Sequence, residues 1–215
     1  MMLKIFVLHY SKLVERKENI LKQFSKYNIT NYEFIELFDV EKIKNNYHLK
    51  FQKISIGSVS LLLKHIYAYK QIIDNYDEAL ILEDDIILCD DFMNKLKIYL
   101  TQLPQDYDML FLGDGCDLHI PDNQLVKDTY IYKKCHYPTI WGGNGVSRCS
   151  DSYIVNKKCA IQLYEYFNLN KIINLPIDWW INESSSYNNF NVYWAEPTII
   201  TQGSRNGVFQ QSYKY

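Results

Sequence analysis

The sequence predicts an α/β protein on a sheet that is mostly parallel in its first half. Three observations carry this. The 215-residue length suits one domain, residues 1–215, with a substantial core. Short apolar runs alternate with longer helix-like stretches in the order β-α-β-α-β-α-β. The run Ala79–Leu82 (A-L-I-L) is unbroken, as in a strand covered on both faces.

Leu3 to Leu8 reads as the first strand. Lys12 to Tyr27 is charged with a partial apolar stripe of Leu13, Ile20, Leu21 and Phe24, the pattern of an amphipathic helix. Tyr32 to Phe38 reads as a second strand ending at Asp39. Ser58 to Ile73 is predicted helical, with Ser58 or Ser60 as its N-cap. The strand Ala79–Leu82 follows, then a helix over Asp91–Leu100 that stops before Pro104. Asp108 to Leu112 is another apolar strand, closed by Gly113, and Asp114 to Asn123 is a loop of turn formers. Thr129–Lys134 and Ser152–Val155 are expected strands and Asn156–Phe167 a helix. Pro176 to about Ser184 is a helix with Pro in its first turn, Asn191–Trp194 a late strand, and the tail from Gln202 a loop. No repeat, low-complexity tract or linker interrupts the order.

Hydrophobic residues make up 47% and charged residues 22%, as in a soluble globular protein, and a net charge of −2 excludes a polyanion footprint and so nucleic acid as partner. The 19 Tyr are read as a codon bias towards A+T, with some free to line a sugar site. Cys89, Cys116, Cys135, Cys149 and Cys159 are odd in number and form no C-x-x-C, which argues against a disulfide framework or zinc knuckle and for reduced thiols. The N-terminal apolar stretch is too short for a signal peptide or membrane span. A soluble, cytoplasmic protein without a transmembrane segment is expected.

In open α/β sheets, ligands bind at the carboxyl ends of strands. Those ends carry His9 with Ser11, then Asp39, then Glu83-Asp84-Asp85, then Gly113 with Asp114. The triplet is the sharpest signal. At about 5 Å and an effective dielectric near 20, each like-charged pair costs on the order of 3 kcal/mol, so a cation is expected nearby. If the strand persists, Glu83 and Asp85 share a face and Asp84 points away. Two carboxylates aimed at one point, with no His/Cys cluster beside them, suit Mn²⁺ or Mg²⁺ rather than Zn²⁺. A metal-bound diphosphate would complete such a site. The bland alternative is a set of solvated or helix-capping acids, the reading preferred for Asp90 and Asp91. Asp114, Asp117 and His119 form a second cluster, G-D-G-C-D-L-H, which a turn-rich loop explains as well as a metal does.

The order of motifs resembles glycosyltransferase family 25, which contains lipooligosaccharide glycosyltransferases and procollagen galactosyltransferases. That family's helix motif L-S-H-x-x-I-W-K meets L-L-K-H-I-Y-A-Y-K-Q-I here, with His65 on the family's His, and E-D-D follows at about the expected distance. Its D-I-I-F-L-G strand meets Asp108–Gly113 (D-M-L-F-L-G), and its Y-x-I-S-x-x-G-A-x-x-L segment meets Tyr153–Leu163. Its L-P-V-D meets Leu175–Asp178, and its P-x-x-x-x-Q meets Pro197–Gln202. The likeness covers nearly the whole chain. Departures lie at His9–Lys17 (H-Y-S-K-L-V-E-R-K for N-L-D-R-x-x-D-R-R), at Ser60-Leu61 for Gly-Cys, and at Cys149–Tyr153 for G-T-H-A-Y. They bear on donor identity rather than fold.

The resemblance implies the A-type glycosyltransferase fold, a single nucleotide-binding Rossmann-like unit, and a UDP-sugar donor whose hexose or N-acetylhexosamine passes with inversion to a hydroxyl of a glycan, lipooligosaccharide or protein. Glu83 and Asp85 would hold the metal and Asp84 would contact ribose or sugar. Leu8, His9, Asp39 and His65 would lie on the donor side. Asp178 would be the base for the acceptor hydroxyl, beside Trp179 and Trp180, whose faces suit a sugar or the core. A degenerate module binding nucleotide sugar or a partner without turnover is the alternative, and a two-metal phosphoryl hydrolase lacks a second set of ligands.

Overall fold

The structure, a computed structural model, describes residues 3–43, 50–51, 53–136, 145–169 and 172–210. The elements run β1 (Lys4–Leu8), α1 (Val14–Lys26), β2 (Tyr32–Ile35), α2 (Val40–Ile43), β3 (Lys50–Phe51), α3 (Ile56–Asn75), β4 (Glu78–Glu83), β5 (Ile86–Leu88), α4 (Phe92–Gln102), β6 (Met109–Phe111), β7 (Ile131–Lys134), β8 (Ser152–Asn156), α5 (Lys157–Leu169), β9 (Ile172–Ile173), α6 (Ile177–Asn188), β10 (Val192–Ala195) and β11 (Ile200–Gln202). The expected mixed α/β architecture is present: a seven-stranded sheet in the order β2-β1-β4-β8-β6-β10-β7. β1 is parallel to β2 and β4, β6 is parallel to β10, and β8 lies antiparallel between β4 and β6. Five strands therefore point one way, while β8 and β7 run against them.

Alternation along the strands explains the unbroken apolar runs. Phe6, Leu8, Ala79 and Ile81 enter one core with α3, α5 and α6, where Leu62, Tyr69, Tyr153, Trp180 and Trp194 pack. Ile5, Val7, Leu80 and Leu82 enter the opposite core with Ile20 and Phe24 of α1 and Phe92 and Leu96 of α4. Both faces are covered, so no strand position between Ile5 and Leu8 or between Ala79 and Leu82 is left for water.

Several expectations are corrected. β2 stops at Ile35, and the chain turns through Phe38 at φ 61°. The cap of α3 is Ser55, which accepts from the Ser58 N–H; neither Ser58 nor Ser60 caps it, because the helix begins two residues earlier than the apolar pattern. Asp91 stands at the start of α4 in a left-handed conformation and makes no capping bond, while exposed Asp90 pairs with Lys26. Pro176 precedes α6 rather than sitting in its first turn. The tail begins as strand: β11 pairs antiparallel with β5 before turning at 203–209, and residues 211–215 lie outside the described set. No described helix is long and apolar enough to cross a membrane.

Candidate active site

The carboxyl ends of β1, β2, β4 and β6 lie along one edge of the sheet, and β8, running the other way, begins there. A cleft of about 470 Å³ opens on that edge, within the usual range for small-molecule sites. Leu8, Tyr10, Arg16, Lys64, Glu83, Asp84, Asp85, Ser150, Asp178, Trp179 and Arg205 are among its lining residues. Of the residues singled out from sequence, Leu8, the acid triplet and Asp178 meet here. His9, Asp39 and His65 do not line it.

β4 does not persist through the triplet. It ends at Glu83, and Asp84 and Asp85 form a turn into β5. Expected alternation is therefore replaced by a turn that sends the acids to different partners. Asp84 is buried and saturated: His9 Nδ1 lies 2.8 Å and the Tyr10 N–H 3.1 Å from Oδ2, and Arg16 Nη1 lies 2.8 Å from Oδ1. Burial works to raise its pKa, but the His9 hydrogen bond and the Arg16 charge outweigh it and hold Asp84 below the ordinary carboxylate value. Asp39 is treated alike. Lys64 Nζ donates to it at 2.6 Å and Ser11 Oγ at 2.6 Å, so its pKa also falls despite burial. Lys64 donates as well to the His9 carbonyl, tying β1 to α3. His9, Asp39 and Asp84 are thus joined in a buried network, with Asp84 at the cleft wall and His9 and Asp39 behind it, whereas the sequence placed His9 and Asp39 on the donor side. His65 belongs to the core: its ring stacks on Tyr153 and its Nδ1 meets the Tyr153 hydroxyl at 2.7 Å. Burial lowers its pKa to about 3, so it is neutral there.

Glu83, Asp85 and Asp151 are a different set. Among the described residues Glu83 accepts only from Ser150 Oγ, at 2.6 Å, and desolvation and Asp85 push its pKa well above the ordinary value. Asp85 is buried, held by Ser204 Oγ on Oδ2 and by the Gly203 N–H on its carbonyl at 2.6 Å, with Arg16 Nη1 3.9 Å away. Its Oδ1 is buried without a hydrogen bond among the described residues, and burial raises its pKa. Asp151 is fully buried, receives Ser152 Oγ at 2.7 Å on Oδ2, and also has a buried Oδ1 with no hydrogen bond among the described residues. Burial first, then Asp85 and Asp114, raise its pKa to about 7. Gly113 permits this placement, since a Cβ there would sit 2.0 Å from Asp151 Oδ2.

Asp178 lies in the first turn of α6, partly buried, and its carboxylate makes no hydrogen bond among the described residues. Its carbonyl accepts from Ser147 Oγ, and Asn182 Oδ1 accepts the Val146 and Ser147 N–H groups at 2.8 Å. α6 thereby fixes the segment that delivers Ser150 and Asp151. Trp180 is buried, whereas Trp179 is 60% exposed at the cleft. Asp114, Asp117 and His119 offer ligand atoms within 4.8 Å of one another, but His119 Nδ1 is engaged by Glu196 at 3.1 Å.

Lys64 and Ser204 escaped the sequence reading, and Ser150 and Asp151 entered it only as part of a departing segment with no role assigned. Lys64 directly precedes the His of the helix motif, and Asp151 lies within a segment that departs from the family pattern. Nothing local marks either as a neighbour of the triplet.

Residues 2–181 match the profile of glycosyltransferase family 25, described as an LPS biosynthesis protein family. The protein called "Putative glycosyltransferase R655" of Acanthamoeba polyphaga mimivirus is 27% identical over 143 residues, 61% of this chain and 42% of that protein. The chain thus spans less than half the length of that relative. Among solved structures, a glycosyltransferase involved in the glycosylation of the major capsid of PBCV-1 aligns with a TM-score of 0.44 at 7% identity, over 94% of this chain and 92% of that one. A197 from STIV aligns at 0.43 and 10% identity, over 93% and 83%. Likenesses at these scores carry no weight for function.

Proposed function

This chain belongs to glycosyltransferase family 25, and from that premise we propose that it transfers a hexose or N-acetylhexosamine from a UDP-sugar to a hydroxyl of a glycan, lipooligosaccharide or protein, with inversion. The observation that carries the site assignment is the pair Glu83 and Asp85 at the cleft, whose negative charge the protein leaves largely uncompensated.

An Mn²⁺ or Mg²⁺ ion fits these residues. The donors are oxygens, Asp85 Oδ1 is buried without a partner among the described residues, and Asp85 raises the proton affinity of Glu83. Two protein ligands suit a hydrated ion that completes its shell with substrate phosphate and water. Bound there, the ion would neutralise charge developing on the departing diphosphate. Arg16 and Lys64, both on the cleft wall, add fixed positive charge at the same end. Asp178 takes the proton of the acceptor hydroxyl, and Trp179 offers an apolar face beside it for a sugar ring. Inversion follows from attack on the sugar face opposite the diphosphate.

Calorimetry of UDP binding with and without Mn²⁺, on the wild type and Asp85→Asn, tests the reading. Mn²⁺-dependent binding that the variant loses supports it. Equal binding by both proteins removes Asp85 from the site, and no binding by either favours another donor or a scaffold without turnover. Product analysis checks the stereochemistry, and a retained anomeric configuration would overturn inversion.

A further inference from the structure

Cys116 and Cys149 lie 33 residues apart in sequence, yet their sulfur atoms are 2.9 Å apart in the fold. Both are free thiols and both line the cleft. Cys116 is exposed, in the turn after β6, and Cys149 is partly buried, just before β8. The contact is built in by the backbone. Gly115 packs so tightly on this segment that a Cβ would sit 2.2 Å from the Arg148 carbonyl oxygen. Both cysteines occupy the left-handed region, at φ 60° and 59°, where non-glycine residues are uncommon. Arg148 is itself anchored, donating from Nε to the Leu118 carbonyl and from Nη2 to Glu196 Oε2 at 2.6 Å. Two thiols held this close need only a small movement to reach bonding distance.

We propose that Cys116 and Cys149 are a covalent modification site, forming a reversible disulfide across the cleft wall by exchange with a low-molecular-weight disulfide. Cys116, the exposed partner, attacks one sulfur of the disulfide RS–SR as thiolate, giving a mixed disulfide and expelling one RS⁻. Cys149 then attacks the Cys116 sulfur, closes the Cys116–Cys149 bond and expels the second RS⁻. The two thiol protons end on the two RS⁻ leaving groups, so the pair is oxidised by two electrons and RS–SR is reduced to two RSH. Arg205 Nη2, 2.8 Å from Cys116 Sγ, sets positive charge where the first attack occurs. The bond fastens the 113–119 turn to the segment that presents Ser150 to Glu83. It does not depend on the sugar-transfer reading.

The test is exposure of the full chain to oxidised glutathione, quenching by alkylation in denaturant, trypsin digestion and mass spectrometry without reductant. The expected product joins the peptides 98–127 and 149–157, lighter by two hydrogens than their sum, with Cys89, Cys135 and Cys159 alkylated. Dithiothreitol reverses it. The oxidised protein melts about 5–10 °C higher than the reduced one, because closing the loop constrains the unfolded chain. Cys149→Ser stops at the Cys116–glutathione mixed disulfide, and Cys116→Ser serves as second variant if the first does not fold. Alkylation of both cysteines after oxidation, or pairing of either with Cys89 or Cys135 to the same extent, overturns the proposal. A lower melting temperature on oxidation also overturns it, since the bond would then form only by distorting the cleft.

Discussion

Two groups of acids stand at or beside the cleft, and the protein handles them in opposite ways. Asp39 and Asp84 are each matched by a buried cation and by further donors, and their pKa values fall. Asp85 and Asp151 are buried and Glu83 is half-buried, all with few donors, and theirs rise. Asp84 and Asp85 are neighbours in the chain, so the difference owes nothing to composition. It comes from the turn after β4, which directs one carboxylate down to Arg16 and His9 and the next towards the cleft. Acids of the first group brace the fold. Those of the second group accept no hydrogen bond from a cation among the described residues, and they bind a proton more readily than an ordinary carboxylate.

The contrast can be broken experimentally. The largest effect is expected at Asp178, whose carboxylate makes no hydrogen bond among the described residues. Asp178→Asn should lower transfer by about 10²–10⁴-fold, the usual worth of a general base, while UDP affinity holds. Steady-state kinetics beside calorimetry decides this, and an equal collapse of UDP binding would show that Asp178 is not acting mainly as a base.

Next comes Asp84→Ala, which leaves the Arg16 and His9 side chains without their shared carboxylate. Removing one partner of a buried ion pair costs about 3–5 kcal/mol, so the melting temperature should drop by roughly 10 °C. Asp85→Asn, one residue on, should leave it nearly unchanged or raise it. Equal losses for the two variants would erase the distinction.

The smallest effect is a pH dependence. Asp151 binds its proton more tightly folded than unfolded, so the native state holds the extra proton between the ordinary carboxylate value near 3.8 and about 7. Stability therefore falls as pH rises through that window. The sign for Asp84 is opposite: its contribution is full above the ordinary value and is lost as pH falls through its lowered one. Denaturation midpoints across the pH range should show the first slope in the wild type and a flatter one in Asp151→Asn. An unchanged slope would mean that Asp151 is not the group responsible.

Much of this was legible beforehand because it is local. A strand covered on both faces writes an unbroken apolar run, as Ala79–Leu82 does. The acids that end it, and Asp178 behind Leu175 and Pro176, could be marked from the chain alone, and the ordered motifs pointed to the family that the profile match bears out. Element positions followed too, with errors at the ends: Ser55 rather than Ser58 or Ser60 caps α3, because propensity and periodicity fade at a helix's terminal turns.

Pairing was not legible. β8 runs antiparallel between β4 and β6, and this reversal brings Ser150 and Asp151 to the edge where Glu83 lies, 67 residues from Ser150. The β5–β11 pair likewise delivers Gly203 to Asp85, and with it Ser204 from 119 residues away. The sequence by itself determined the apolar alternation, the acids at a strand end and the family. Only the tertiary structure decided which acids are hydrogen-bonded to a cation and which are not, and which two thiols touch. Charge compensation depends on distances between segments far apart in the chain, and those distances are set by strand direction, which no short stretch of residues encodes.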